Sequence, residues 1–173
     1  MIREPKGIIE TENADEHWGF FNATDKVVLD LGCGINNNEF APTPLWFIMT
    51  KKASKVYGVD SNPQSYQWFK QNYNVYNFVS FMDYIDSIDK FNWYIGNVKP
   101  DIIKIDVEGA EVMLNALDIK LLELVQQIGI EYHNLPCLIA CEMKLEEAGF
   151  ELEYYKFKHL PIDHQGVLHG IKK

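Results

Sequence analysis

Residues 103–111 read Ile-Lys-Ile-Asp-Val-Glu-Gly-Ala-Glu, an apolar run that closes on two carboxylates, Asp106 and Glu108, and then a glycine. Beyond the glycine the apolar residues change to helical spacing. A strand ending in acids beside a glycine, at a strand-to-helix turn, is where open α/β sheets place their ligands. Residues 27–34 contain a second such turn, Asp30-Leu31-Gly32-Cys33-Gly34. Two acid-and-glycine turns on one sheet predict a single site built from both. Gly32 and Gly34 let the backbone turn sharply and let a ligand approach the main chain closely. Asp30 offers a carboxylate near that loop, suited to a cationic amino group. A plain tight turn is the competing reading of the same residues.

The same logic extends to the other strand ends. Asp60 closes the second apolar run, where a carboxylate in adenosine-binding folds accepts two ribose hydroxyls. Asn62 is placed to touch a base, although a cap on the helix that opens at Pro63 explains it without function. Asp83 closes the third run, where it is set to accept from an exocyclic amine beside the apolar wall of Phe81, Met82 and Tyr84. Asp106 is the hardest acid to dismiss, since a carboxylate ending so apolar a strand needs a partner or water. Glu108 and Glu111 are also explained by the positive end of the following helix. Glu131, Tyr132 and His133 close the fifth run on the same rim, and a histidine there is able to take a proton near neutral pH. His17, His159, His164 and His169 show no ligand spacing and are expected on the surface or in packing. Cys137 and Cys141 lie one helical turn apart with no second pair at suitable spacing, so two buried thiols are expected and no metal site.

These side chains need a frame, and the remaining pattern supplies one. Strands are predicted over residues 27–31, 55–59, 77–82, 101–107, 125–132, 150–158 and 167–171. Helices are predicted over 43–52, 62–73 and 134–149, and one more after Gly109, where Ala110, Met113, Leu114 and Leu117 form a stripe. Residues 83–99 show no clear element, and with 36–42 and 159–166 they are read as loops around the substrate. Alternating strand and helix calls for a Rossmann-like, doubly wound, mostly parallel α/β sheet covered on both faces. The short connection before the last strand forces a C-terminal antiparallel hairpin. Trp18, Phe20 and Phe21 cluster in residues 1–25, an N-terminal extension that is a candidate lid, with packing against the sheet edge the plainer reading.

At 173 residues the chain is long enough for one well-cored domain. A formal charge of −9 argues against an extended nucleic-acid surface, which needs clustered lysine and arginine. Neither a leader nor a membrane-length apolar run is evident, so a cytoplasmic setting with reduced thiols is expected.

The turn from Asp30 to Gly34, the strand ending at Asp60, the segment from Asp106 to Glu111 and the Ile-Glu-Tyr-His run ending at His133 stand in the order expected of class I S-adenosylmethionine-dependent methyltransferases. The Asp-x-Glu-Gly segment resembles the FkbM family, whose members are mostly O-methyltransferases; the similarity covers residues 26–173. The resemblance implies a seven-stranded sheet and S-adenosylmethionine as cofactor. By it, Gly32 and Gly34 line the methionine end, Asp60 holds the ribose and Asp83 meets the adenine. The implied activity is methylation of a hydroxyl on a small-molecule or sugar-containing acceptor, with Asp106 and His133 as candidate bases and Glu108 behind them. Two other readings stay open. An NAD(P)-dependent oxidoreductase would share the sheet and Asp60, but Asn37 stands where its third glycine belongs. A non-catalytic methyltransferase-fold binding protein is the other. Oligomeric state is left open.

Overall fold

The computed structural model describes residues 4–10, 13–34, 43–72 and 77–172. Along the chain run β1 (Gly7–Ile9), α1 (Ala14–Trp18), β2 (Val27–Leu31), α2 (Thr43–Met49), β3 (Lys55–Asp60), α3 (Pro63–Asn72), β4 (Phe78–Met82), α4 (Ile88–Val98) and β5 (Ile102–Ile105). Two 3-10 helices, Ala110–Ala116 and Ile119–Leu122, lead to β6 (Gln127–Tyr132), α5 (Leu135–Glu147), β7 (Glu151–Phe157) and β8 (Gly166–Ile171). The strands form one sheet in the order β1-β7-β8-β6-β5-β2-β3-β4. All neighbours are parallel except β8, which runs antiparallel between β7 and β6.

β5 and β2 lie side by side in the interior of the sheet, and every residue of β5 is buried. Alternation sends Leu29, Leu31, Ile103 and Ile105 to one face, against α4, the 3-10 segment and α5. Val28 and Ile102 go to the other face, where Trp18, Phe21, Trp46, Phe47 and Phe69 from α1, α2, α3 and their flanks pack. Burial on both faces is why the parallel strands read as continuous apolar runs.

Three expectations change. The sheet has eight strands among the described residues, not seven, because residues 7–9 add an edge strand beside β7. A three-residue strand shows no alternation to read. Residues 83–99 hold α4, whose Phe91, Tyr94 and Ile95 bury one helical stripe. The segment after Gly109 is 3-10 rather than α-helical, since the Glu111 carboxylate folds back onto the Val107 and Gly109 amides at 2.9 and 2.8 Å and winds the first turn tightly. Leu114 and Leu117 nonetheless reach the core. In the N-terminal segment, Trp18 and Phe21 are buried over β6, where a Cβ on Gly129 would lie 2.5 Å from the Phe21 ring. No helix among the described residues is long and apolar enough to cross a membrane.

Candidate active site

The carboxyl ends of β2, β3, β4, β5 and β6 open into one cavity of about 800 Å³, whose lining includes Gly32, Gly34, Asp60, Asp83, Asp106, Glu108 and His133. Residues 36–42, read as one of the substrate loops, lie outside the described residues. Residues 159–166 contribute His159, Leu160 and Gln165 to the cavity rim, and Tyr132 ties that loop down by donating to the Ile162 carbonyl at 2.6 Å.

The two glycine turns interlock. Gly32 has φ +76, and a Cβ there would lie 1.6 Å from the Asp106 carbonyl oxygen. The Asp106 amide in turn donates to the Leu31 carbonyl at 2.9 Å. Only glycine permits this approach, so the end of β2 and the end of β5 are locked together. Gly34 sits over Asp60, where a Cβ would come within 3.0 Å of the carboxylate Oδ2.

Asp60 accepts from the Asn62 amide at 2.7 Å. Burial pushes its carboxyl up, with the amides of Asn62 and Gly34 working against that. Asn62 is not part of the cavity wall. Its side chain accepts from the Gln64 amide at 2.8 Å, which is the capping role. Asp83 accepts from Lys90 Nζ at 2.9 Å, the Tyr84 amide at 2.9 Å and the Tyr94 hydroxyl at 3.0 Å. Burial draws its carboxyl up, but these donors and the lysine charge outweigh it and hold it below the usual carboxylate range.

Asp30 differs from expectation. Its carboxylate is fully buried beneath the loop and faces Lys104 Nζ at 3.2 Å, so it meets the cavity only through that lysine. Burial pushes Asp30 up to about 6, against the pull of Lys104. Lys104, opposite Asp30 in the β2–β5 register, is buried too; its ammonium donates to the Gly32 carbonyl at 2.6 Å and lies 3.5 Å from Asp106 Oδ2. Burial lowers the Lys104 ammonium, but the charges of Asp30 and Asp106 outweigh it and raise it. This lysine was overlooked in sequence, although a lone charge inside the run Ile-Ile-Lys-Ile was the signal for it.

Asp106 and Glu108 follow the end of β5 at Ile105, and both approach His133: its Nε2 lies 3.5 Å from Glu108 Oε2, 4.0 Å from Asp106 Oδ1 and 3.7 Å from Glu131 Oε1. The other ring nitrogen, Nδ1, lies 3.4 Å from Oε1 of the buried Glu111. Hydrogen bonding to Glu111 and the surrounding carboxylates raise His133 to about 9, against the effect of burial. At neutral pH the imidazole therefore holds its proton, so His133 is not a free base as expected from sequence. Burial raises the Asp106 carboxyl, with Lys104 opposing. His17, expected in packing, also reaches the cavity, with Nε2 2.8 Å from Glu131 Oε2. Glu131 also accepts from Gln165 Nε2 at 2.7 Å.

No protein-family model matches the chain, and no curated protein matches it in sequence. Solved structures do share its architecture. The precorrin-6y C5,15-methyltransferase of Geobacter metallireducens matches with a TM-score of 0.57 and 18% identity, over 87% of this chain and 81% of that one. TYW2 of M. jannaschii, in complex with AdoMet, matches at 0.58 and 19%, over 87% and 70%. The magnesium protoporphyrin IX methyltransferase of Synechocystis PCC 6803, with bound SAH, matches at 0.51 and 13%, over 88% and 76%. At these identities the likeness is one of fold. The chain has the Rossmann-like architecture of class I S-adenosylmethionine-dependent methyltransferases.

Proposed function

We propose that this chain is an S-adenosylmethionine-dependent methyltransferase that acts on a hydroxyl of a small-molecule or sugar-containing acceptor, as the resemblance to the FkbM family implies. The observation that carries the reading is the convergence of Gly32, Gly34, Asp60 and Asp106 on one cavity at the carboxyl ends of adjacent strands. Its volume of about 800 Å³ falls in the range of ligand sites. The residues fit the cofactor: Gly32 and Gly34 line the cavity without side chains to obstruct it, and the cavity wall carries several carboxylates for a cationic ligand.

In this reading the turn at Gly32 and Gly34 backs the methionine end, Asp60 accepts from the ribose hydroxyls, and Asp83 with Tyr84 borders the adenine. Bound S-adenosylmethionine supplies an electrophilic methyl group on a sulfonium. Asp106 stands at the cavity as the carboxylate suited to take the acceptor's proton as its oxygen attacks. His133, with Glu108 behind it, faces one oxygen of that carboxylate, and Lys104 faces the other. Holding acceptor and methyl in line, away from water, accounts for much of the acceleration. The three buried free cysteines fit a cytoplasmic setting.

Calorimetry with S-adenosylmethionine, S-adenosylhomocysteine and NAD tests this. The first two should bind and NAD should not, and Asp60→Ala should abolish binding with the fold intact by circular dichroism. Binding of NAD in preference to the other two would reverse the assignment to an oxidoreductase.

A further inference from the structure

We propose that Asp106, Glu108 and His133 form a site for a divalent transition cation of the Mn²⁺ or Zn²⁺ type at the cavity mouth. One donor atom from each of the three lies within 4.8 Å of the other two. The spacing is what separates this cluster from a set of ion pairs. His133 Nε2 has two carboxylate oxygens from this set around it, at 3.5 and 4.0 Å, both beyond the roughly 3.2 Å limit of a good hydrogen bond. A cation bound at about 2.0–2.2 Å from each donor holds neighbouring donors about 3–4 Å apart. The atoms are thus too far apart to satisfy one another, and a small inward turn of exposed Glu108 brings them to the spacing of a shared ion.

The surroundings agree. A metal-bound imidazole typically gives its other N–H to a carboxylate, which fixes the ring. The wholly buried Glu111 faces His133 Nδ1 at 3.4 Å, placed to become that partner on a small closing of the gap, and is itself anchored by the Val107 and Gly109 amides. Asp106 turns Oδ2 to Lys104, leaving Oδ1 for the ion. Charge points the same way: Asp30, Asp106, Glu108, Glu111 and Glu131 crowd one region whose only lysine among these contacts is Lys104. A dication there takes the place of the imidazole proton. One imidazole with two carboxylates suits Mn²⁺ or Zn²⁺ better than Ca²⁺. Three protein ligands leave positions open toward the cavity. Resting on the methyl-transfer reading, those positions would take the acceptor hydroxyl and lower its pKa, so that with the ion bound the hydroxyl proton is released to solvent and Asp106 serves as a ligand in place of the base. This narrows the acceptor class to molecules that chelate through oxygen.

The test uses the full chain, stripped with chelator and dialysed. Mn²⁺ is followed by loss of its free electron-paramagnetic signal and Zn²⁺ by calorimetry. One equivalent of at least one ion should bind, and Glu108→Gln and His133→Ala should each weaken it roughly tenfold or more. Glu146→Gln, on the exposed side of α5, should bind as the unaltered chain does. Glu108 has an 86% exposed side chain, so its variant is expected to fold, as circular dichroism will check. No uptake of either ion, or either site variant binding as tightly as the unaltered chain, overturns the site. S-adenosylmethionine is titrated separately in chelator. Metal uptake without nucleoside binding would support the site and overturn the methyl-transfer reading.

Discussion

Lys104→Met is the substitution that most directly probes how the site is held. It keeps the length of the side chain while removing the ammonium that faces Asp30 at 3.2 Å, Asp106 at 3.5 Å and the Gly32 carbonyl at 2.6 Å. Methionine avoids the desolvation of a buried ammonium, which favours the variant. Against that, Asp30 is left fully buried with no counter-charge, and breaking such a pair from one side costs about 3–5 kcal/mol. That is a large part of the roughly 5–15 kcal/mol stability of a typical domain, so the loss should dominate. It should lower the melting temperature by roughly 10 °C in a chain of this size. Adding Asp30→Asn removes the stranded charge, so the double variant should recover part of the loss, with a coupling of about 2 kcal/mol. Urea unfolding of the four proteins in the cycle measures this, and Trp18, whose ring lies 5.3 Å from Nζ, provides a local fluorescence signal. A Lys104→Met loss below about 1 kcal/mol, or an equal loss with and without Asp30→Asn, would show that the pair does not brace the turn.

His169 predicts an acid-side weakness. It is 1% exposed, stacked on Phe20 at 4.0 Å, and burial holds it down to about 4, with Glu153 opposing. Between pH 6.5 and 4 the unfolded chain binds the proton and the folded chain does not, so stability falls as pH drops through that window and is level above it. Between pH 6.5 and 5 the group should cost about 2 kcal/mol, and His169→Gln should remove that part of the slope in urea unfolding; parallel profiles for the two proteins would count against it. Gly32→Ala should destabilise by about 3 kcal/mol, since its Cβ meets the Asp106 backbone at 1.6 Å and no side chain can yield. Gly109→Ala has nothing within 4 Å and should cost only the left-handed backbone, about 1–2 kcal/mol. Thermal melts that ranked the two the other way would undo the interlocked-turn argument.

What could be read from the sequence and what could not divides along a physical line. The central strands were legible because burial on both faces makes each a continuous apolar run, and the acids closing those runs stand out against it. The edge strand at residues 7–9 was not, being too short for a period and gaining its identity only by pairing with β7. α4 was hidden among Asp, Asn and Gly, although Phe91, Tyr94 and Ile95 carried its stripe. Within the site, Gly32, Asp60 and Asp106 could be placed because each is a feature of its own strand end. The partners of those residues could not. Lys104 meets Asp30 only through strand register, His17 meets Glu131 only because α1 folds over β6, and Glu111 reads as a helix-dipole charge until its burial is seen.

That division explains why the electrostatics of the cavity exceed what the strand ends alone foretold. Parallel strands deliver their terminal residues to one rim, so acids that are far apart in sequence become neighbours across the sheet. Asp30, Asp106 and Glu131 come from three adjacent strands, β2, β5 and β6, and all are removed from water to a large degree. Proximity and desolvation each work against the ionised forms; His17 and Gln165 overcome this for Glu131 and hold it low, while Lys104 neutralises only part of the charge on Asp30 and Asp106. The remaining negative charge must be met by bound protons, by a cationic ligand or by a metal ion. It acts at the cavity where Gly32 already excludes a side chain, which makes a cation the ligand this rim is built to favour. A sulfonium and a dication are two answers to one imbalance. In the proposed readings they would occupy different places, the first against the glycine turn and the second against His133.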